Sequence, residues 1–138
     1  MFVDTNVLVY AHDASETARQ AVAQAVLGEL WRSRSGALST QVLQEFYVVA
    51  TRKFDPRMSP RQARDLVDAY SNWQLVQIDV PLILAASQLE ERHTLSFWDA
   101  LIVEAARRAG ATRLVTEDLQ AGRWIAGLLI DNPFASAS

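Results

Sequence analysis

MFVDTNVLVY, residues 1–10, is the stretch of sequence that decides the fold class. A short β-favouring run at 1–3 leads directly to an acidic residue, Asp4, and then to an apolar run over 7–10. This order is typical of a strand that passes into a helix, with Asp4 at the junction. Asp is also a favoured helix N-cap, so the position has a purely structural explanation as well.

The rest of the chain repeats this alternation of short strands and longer helices. Further β-favouring runs predict strands at 37–39, 75–78, 114–116 and 128–131. Helical periodicity predicts helices over 18–32, 40–53, 60–70, 80–92 and 98–109. Strands that alternate with helices indicate a parallel sheet covered on both faces. We therefore expect a three-layer α/β/α fold with a central parallel sheet of about five strands. It forms one domain over 1–132, followed by a short C-terminal tail at 133–138.

The composition is that of a globular protein without cysteine. Half of the 138 residues are hydrophobic and 21% are charged, which allows one domain with a substantial core. No stretch reaches the ~20 apolar residues of a membrane span, and the start lacks the basic region of a secretory signal. The absence of cysteine from the sequence excludes disulfides and thiolate metal sites and fits a cytoplasmic protein. A net charge of -3 argues against passive binding of nucleic acid by a basic surface.

Four acidic residues from distant parts of the chain are predicted to meet at one edge of this sheet. Asp4 and Asp118 each follow a predicted strand at its carboxyl end, where open α/β folds bind their ligands. Glu45 and Asp99 lie on helices, on the same face as neighbouring apolar residues, and so point toward the sheet. Each acid alone has a structural explanation as a cap, a turn residue or a surface charge. The coincidence of four indicates a site.

A divalent cation is the simplest partner for such a group of carboxylates. Carboxylates within ~4–6 Å of one another raise each other's pKa, and they stay ionised together only around a cation. Oxygen ligands without Cys or a nearby His favour Mg2+ or Mn2+ over Zn2+. Asn6 and Thr116 add neutral oxygens, and Glu117 competes with Asp118 for the fourth acidic position. Such a site suits phosphodiester hydrolysis.

Four short motifs resemble those of the PIN domain and, more closely, those of VapC-type toxins of bacterial toxin–antitoxin pairs. The motifs are FVDTN (2–6), QEF (44–46), SFWDALI (96–102) and LVTEDLQ (114–120). The likeness runs over nearly the whole chain, from residue 1 to about 131. The family's four acidic positions are matched by Asp4, Glu45, Asp99 and Asp118. Its auxiliary polar positions are matched by Asn6 and Thr116.

The resemblance implies a function as well as a fold. It implies a Mg2+- or Mn2+-dependent endoribonuclease that cuts tRNA, rRNA or mRNA as the toxin of a toxin–antitoxin pair. It also implies a homodimer, and a small antitoxin whose C-terminal segment wraps the toxin and obstructs the acidic pocket. A housekeeping RNA-processing PIN nuclease and a non-catalytic PIN-like module that binds RNA or protein stand as alternatives.

Two surface features are interpreted as contacts to the substrate. Arg52, Lys53 and Arg57 follow the Glu45 helix and would form a phosphate-guiding rim about the acidic pocket. Their alternative interpretation is a solvated, charged surface. Trp98 adjoins Asp99 and is a candidate to stack a base at the mouth of the pocket.

Two other kinds of phosphate chemistry are disfavoured by single positions. A receiver-type phosphoacceptor needs paired acids after the first strand and a lysine near the end of the fifth. Here one acid follows the first strand, and the one lysine of the sequence is Lys53. A haloacid-dehalogenase-type phosphatase needs an Asp two residues after its nucleophile, where this chain has Asn6.

Overall fold

A central sheet lies between two layers of helices in the computed structural model, which describes residues 1–135. The elements in chain order are β1 (Phe2–Val3), α1 (Thr5–His12), α2 (Thr17–Ser33), β2 (Ala37–Ser39), α3 (Thr40–Arg52), α4 (Pro60–Tyr70), β3 (Gln74–Val76), α5 (Val80–Arg92), α6 (Phe97–Arg108), β4 (Arg113–Val115), β5 (Trp124–Ile125) and β6 (Leu128–Asp131). Within residues 1–135, no helix is both long enough and apolar enough to cross a membrane.

The sheet has six strands in the order β3-β2-β1-β4-β6-β5, and every pairing except that of β5 with β6 is parallel. The first strand is central, because Phe2 pairs with Ala37 of β2 on one side and Leu114 of β4 on the other. Crossovers between parallel strands are right-handed, so the strand order puts α1 to α4 on one face of the sheet and α5 with α6 on the other, and the helices of each group contact one another. Both faces are covered, so the central strand β1 and most residues of its neighbours β2 and β4 are apolar and buried.

Each helix that starts near the carboxyl edge of the central strands begins at a polar cap. The Asp4 side chain caps α1, Ser39 caps α3 and Ser96 caps α6, and each accepts a hydrogen bond from a first-turn backbone N–H. Asp4 directly follows β1, and Ser39 is the last residue of β2, so α1 and α3 begin at the same edge of the sheet. The geometry places the first turns of α1, α3 and α6 around the ends of β1 and β4.

Aromatic side chains pack at the opposite edge of the sheet, where β2 and β3 begin. Ring centroids of Trp31, Tyr70 and Trp73 lie 5.2 to 5.5 Å apart. His12, at the end of α1, joins them through its Nε2, 3.0 Å from the Tyr70 hydroxyl. Gly36 packs so closely against the Trp73 indole that it leaves no room for a side chain. A Cβ built at this position would stand 2.4 Å from Cε3 of the indole. We call His12, Trp31, Tyr70 and Trp73 the aromatic end.

The predicted three-layer α/β/α class is confirmed, with one more strand than the sequence indicated. The strand that was missed, β5, has two residues and lies at the antiparallel edge of the sheet. Its neighbours Gly122 and Gly127 have positive φ, so turns enclose it on both sides and leave no alternating pattern to recognise. Strand β5 closes the sheet beside β6.

The segment expected to form a C-terminal tail begins inside the folded core. The Phe134 side chain is buried, and its ring meets that of Tyr10 edge-on at a centroid distance of 5.0 Å. The remainder of that segment, 136–138, lies outside the described residues. The described fold therefore extends at least to Phe134.

Candidate active site

The most buried part of the site lies where β1 and β4 end side by side. The backbone N–H of Asp4 donates to the Val115 carbonyl at 3.0 Å. The Asp4 Oδ1 accepts the Thr5 N–H at 2.7 Å, and its Oδ2 accepts the Thr116 hydroxyl at 2.9 Å. Only 5% of Asp4 is exposed and Thr116 is fully buried. Parallel pairing of the two strands thus holds a carboxylate and a hydroxyl in fixed contact.

Asp118 lies at the open side of this pair, on the segment that follows β4. Its Oδ2 accepts the Asn6 Nδ2–H at 3.1 Å, and its backbone N–H donates to Thr116 Oγ1 at 3.0 Å. Asn6 Nδ2 also lies 3.2 Å from Thr116 Oγ1. The two predicted auxiliary residues, Asn6 and Thr116, therefore contact the acids Asp4 and Asp118 directly.

Glu117 turns away from the other acids. Its Oε1 accepts the Tyr10 hydroxyl at 2.5 Å, and its Oε2 lies 3.8 Å from Arg19 Nε on α2. The carboxylates of Glu117 and Asp118 thus leave the chain in different directions. Of these two candidates for the fourth acidic position, the structure brings Asp118 to the other site residues.

Glu45 joins the site from α3 through two residues that the sequence analysis did not identify. The Thr5 hydroxyl donates to Glu45 Oε2 at 2.8 Å, and Gln41 Nε2–H donates to Glu45 Oε1 at 2.9 Å. Gln41 Nε2 also lies 3.4 Å from the Trp98 carbonyl oxygen, which links α3 to α6. Both connecting side chains are buried. One signal was available: Gln41 lies four residues before Glu45, on the same helix face.

Asp99 lies in the first turn of α6, where the Ser96 hydroxyl accepts its backbone N–H at 3.1 Å. Its side chain is half-buried, whereas the neighbouring Trp98 indole is 64% exposed. Trp98 therefore presents an open aromatic face beside Asp99, as its predicted role in stacking a base requires.

The charges of Asp118 and Glu45 act on both Asp4 and Asp99. Burial raises the pKa of Asp4 from 3.8 to about 7, against hydrogen bonds from Thr5 and Thr116, with smaller upward contributions from the charges of Asp118 and Glu45. Burial also raises the pKa of Asp99, and the charges of the same two acids add to the rise. In the described part of the chain, none of the four acids forms a salt bridge with Arg, Lys or His. Their mutual repulsion is unrelieved by a basic side chain.

A hard divalent cation fits the donor set, although the side chains as placed do not form a finished coordination shell. Among residues 1–135, no three His, Asp or Glu groups stand close enough together to hold one ion. Neutral donors occupy several carboxylate oxygens: Thr5 and Thr116 on Asp4, Thr5 and Gln41 on Glu45. All candidate ligands are oxygen atoms, which Mg2+ and Mn2+ prefer. The chemistry and the unbalanced charge fit such an ion.

The structure does not bring the predicted basic rim to these acids. Arg52 and Lys53 are exposed at the end of α3, about 10 Å along the helix from Glu45. Arg57 lines a separate cavity of about 510 Å³ together with His12, at the far end of α1 from Asp4. These three residues therefore do not form the expected rim around the acidic pocket, because α3 carries Arg52 and Lys53 away from Glu45 and Arg57 lies in the loop between α3 and α4.

The chain belongs to the PIN-domain family, whose family model matches residues 1–123. This match confirms the resemblance that the four sequence motifs indicated. A comparison with curated protein sequences found no match.

Solved structures of bacterial toxins share this fold. The crystal structure of Mycobacterium tuberculosis VapC20, described as a toxin that cleaves the sarcin-ricin loop, has a TM-score of 0.61 and 22% identity over 82% of this chain and 85% of that chain. A toxin–antitoxin complex from Klebsiella pneumoniae gives 0.70 and 22% over 96% of each chain. VapBC2 from Rickettsia felis, bound to a DNA fragment from its promoter, gives 0.65 and 20% over 95% and 96%. At these identities the likeness shows a common fold.

Proposed function

We propose that this protein is a Mg2+- or Mn2+-dependent endoribonuclease and the toxin of a toxin–antitoxin pair. The observation that carries the proposal is the set of neutral side chains, Thr5, Thr116 and Asn6, that links Asp4, Glu45 and Asp118. Asp99 is near enough for the charges of Glu45 and Asp118 to act on it, and none of the four acids has a basic partner in residues 1–135. Membership of the PIN-domain family supports nuclease activity. The toxin structures among its fold neighbours support the assignment to a toxin.

In this mechanism, the four acids would hold the cation, and the neutral side chains orient the acids. When bound, the cation supplies Lewis-acid stabilisation of the charge that develops on the phosphoryl group. Thr116 fixes the buried Asp4, and Asn6 fixes the exposed Asp118. Glu45 is oriented by two donors, which define where each of its oxygens points. A carboxylate of this group accepts the proton of the attacking water.

The same proposal includes partners and location. An antitoxin partner is supported by the toxin–antitoxin complexes among the fold neighbours. The substrate is RNA, either tRNA, rRNA or mRNA, and Trp98 beside Asp99 offers a face on which a base could stack. We also propose that the protein is cytoplasmic and acts as a homodimer.

The test is RNA cleavage by the purified protein with Mg2+ or Mn2+, compared with the same reaction in EDTA. Asp99→Asn removes one charge from the site, and Asp68→Asn makes the same chemical change on the exposed face of α4. We expect EDTA and Asp99→Asn to abolish cleavage, while Asp68→Asn cuts like the unchanged protein. Equal cleavage by the Asp99→Asn variant would show a contaminating nuclease or another site.

Growth after induction in a bacterial host separates the toxin from a housekeeping nuclease. We expect the unchanged protein, produced alone, to arrest growth and Asp99→Asn to relieve the arrest. Normal growth with active nuclease in the cells would contradict the toxin role and favour RNA processing.

A further inference from the structure

The Glu117 side chain contacts residues of α1 and α2, although the next residue in the chain, Asp118, belongs to the proposed active site. The Tyr10 hydroxyl of α1 donates to its Oε1 at 2.5 Å, and Arg19 of α2 lies 3.8 Å from its Oε2. Arg19, which also pairs with Glu16, is thus a basic partner of this carboxylate. Glu117 differs in this respect from the four acids of the site, which form no salt bridge in the described part of the chain.

The partners of Glu117 are themselves held in place. The Tyr10 ring packs edge-on against Phe134 at 5.0 Å, and the Arg19 guanidinium lies 5.4 Å from the centre of the same ring. A second salt bridge, to Glu16 at 3.3 Å, holds the other side of Arg19. The hydroxyl of Tyr10 therefore has a defined position from which to bind Glu117.

Helix α1 binds the segment 116–118 at a second place, one turn earlier. Asn6 and Tyr10 are four residues apart and so lie on one face of α1. Asn6 Oδ1 accepts the Glu117 N–H at 3.4 Å, and Asn6 Nδ2 donates to the Asp118 carboxylate at 3.1 Å. Asn6 thus binds the backbone of this segment, and Tyr10 binds its Glu117 side chain.

We infer that Glu117 is a positioning residue, anchored by Tyr10 and Arg19, that fixes the backbone on which Asp118 is presented to the cation. Asp118 is exposed and lies on a connecting segment, so few other contacts define where its carboxylate stands. A ligand or catalytic group displaced by about 1 Å loses much of its effect. The consequence for catalysis rests on the proposed function, whereas the anchoring of the segment does not.

The anchoring is tested on the metal-free protein with two matched Tyr→Phe variants. Tyr10→Phe removes only the hydroxyl that binds Glu117, while Tyr70→Phe removes a hydroxyl that binds His12 at the aromatic end. We expect amide hydrogen exchange at Glu117 and Asp118 to accelerate about tenfold in Tyr10→Phe and to stay unchanged in Tyr70→Phe. Unchanged exchange in Tyr10→Phe would overturn the inference, whether or not the protein cuts RNA.

Mn2+ binding, measured by calorimetry, distinguishes an anchor from a ligand. Glu117→Gln keeps an oxygen that accepts the hydrogen bond from the Tyr10 hydroxyl but removes the charge that a metal ligand needs. Glu117→Ala removes both the oxygen and the charge. An anchor therefore predicts that Glu117→Ala weakens binding about tenfold and Glu117→Gln much less, as for residues that orient metal ligands. Equal loss in both variants, as large as in Asp118→Asn, would make Glu117 a ligand and overturn the inference.

A double-mutant cycle completes the test. If Tyr10 acts through Glu117, Tyr10→Phe as a single substitution weakens Mn2+ binding. The same substitution added to Glu117→Ala then causes no further loss. Additive effects would mean that the two residues act separately, against the inference. Mn2+ binding with this pattern but without RNA cleavage would leave the anchor in place and contradict the proposed function alone.

Discussion

The two ends of helix α1 lie in opposite chemical surroundings. At its N-cap Asp4 is buried, and this burial raises the pKa of Asp4 to about 7. We call Asp4, Glu45, Asp99 and Asp118 the acidic end. At its last turn His12 contacts Tyr70 among packed indoles, at the aromatic end. Helix α1 thus connects the acidic end, whose burial costs free energy, with the aromatic end, whose packing stabilises the fold.

The acidic end and the aromatic end contribute differently to the stability of the fold. Buried like charges cost free energy that the fold must supply from elsewhere. Burial of large aromatic rings is a principal source of such free energy. Substitutions at the two ends should therefore separate the two properties, with activity lost at the acidic end and stability lost at the aromatic end.

The largest effect is expected from Asp4→Asn at the acidic end. Asn is as good an N-cap as Asp, so α1 should keep its start. Loss of one ligand charge should lower RNA cleavage at least about 100-fold, or about 3 kcal/mol of transition-state stabilisation. Single-turnover cleavage in Mg2+ gives the measurement. A variant that cuts within about threefold of the unchanged rate would remove Asp4 from the active site.

The next largest effect is expected at the aromatic end, from Gly36→Ala. The added Cβ would stand 2.4 Å from Trp73 Cε3, so the indole or the strand must move. We expect a loss of about 3 kcal/mol in the free energy of unfolding, measured in urea, with cleavage by the folded protein unchanged.

Gly28→Ala is the matched control for this prediction. Apart from its chain neighbours and the nearby backbone of α2, nothing in residues 1–135 lies within 4 Å of a Cβ built at Gly28. Ala should stabilise this helix by about 0.5 to 1 kcal/mol. If Gly36→Ala behaved in the same way, close packing at the aromatic end would not be a source of stability.

A third prediction concerns the pH dependence of the metal-free protein. Because folding raises the pKa of Asp4 from 3.8 to about 7, the folded protein binds this proton more tightly than the unfolded chain. The stabilisation is complete below pH 3.8 and is lost as the pH rises through about 7. Between pH 5 and pH 8 we expect the free energy of unfolding to fall by about 2 kcal/mol.

Urea unfolding at several pH values, in EDTA, measures this loss. Asp4→Asn has no proton to release at this position and should show a flatter profile, as should the unchanged protein in excess Mg2+. An equal fall in the Asp4→Asn variant would place the cause in another group.

The smallest effect is expected from Trp98→Ala. The indole is 64% exposed, so stability should change little, but loss of a stacking face should raise the KM for RNA several-fold, or about 1 kcal/mol, with kcat unchanged. Trp124→Ala removes an indole that is 66% exposed on β5 and serves as control. Equal KM changes in the two variants would mean that neither indole has a specific place in binding RNA.

Much of the fold was predictable, because each helix and most strands carry a local pattern. The helix Pro60–Tyr70 begins with Ser59 and Pro60, an N-cap and a first-turn proline, and was predicted with its observed bounds. Strand β5 has no such pattern, since two residues between glycine turns cannot show alternation. Local signals predict elements that are long enough to repeat them.

The candidate site was predictable only in part, for a related reason. Asp4 and Asp118 follow strands, and that position alone places them at the functional edge. Thr5 binds Glu45 across 40 positions of sequence, and no local pattern reports such a contact. The charges of Arg52 and Lys53 were visible in the sequence, but the direction in which α3 carries them became clear only from the fold.

The position of β1 in the middle of the sheet has a consequence for the order of events during synthesis. Strand β1 is synthesised early but pairs with β4, which leaves the ribosome much later. Asn6 likewise binds Asp118, 112 positions further along the chain. At ribosomal speed that interval is on the order of ten seconds. The acidic end cannot assemble on a shorter nascent chain, so the proposed active site is completed only after this interval.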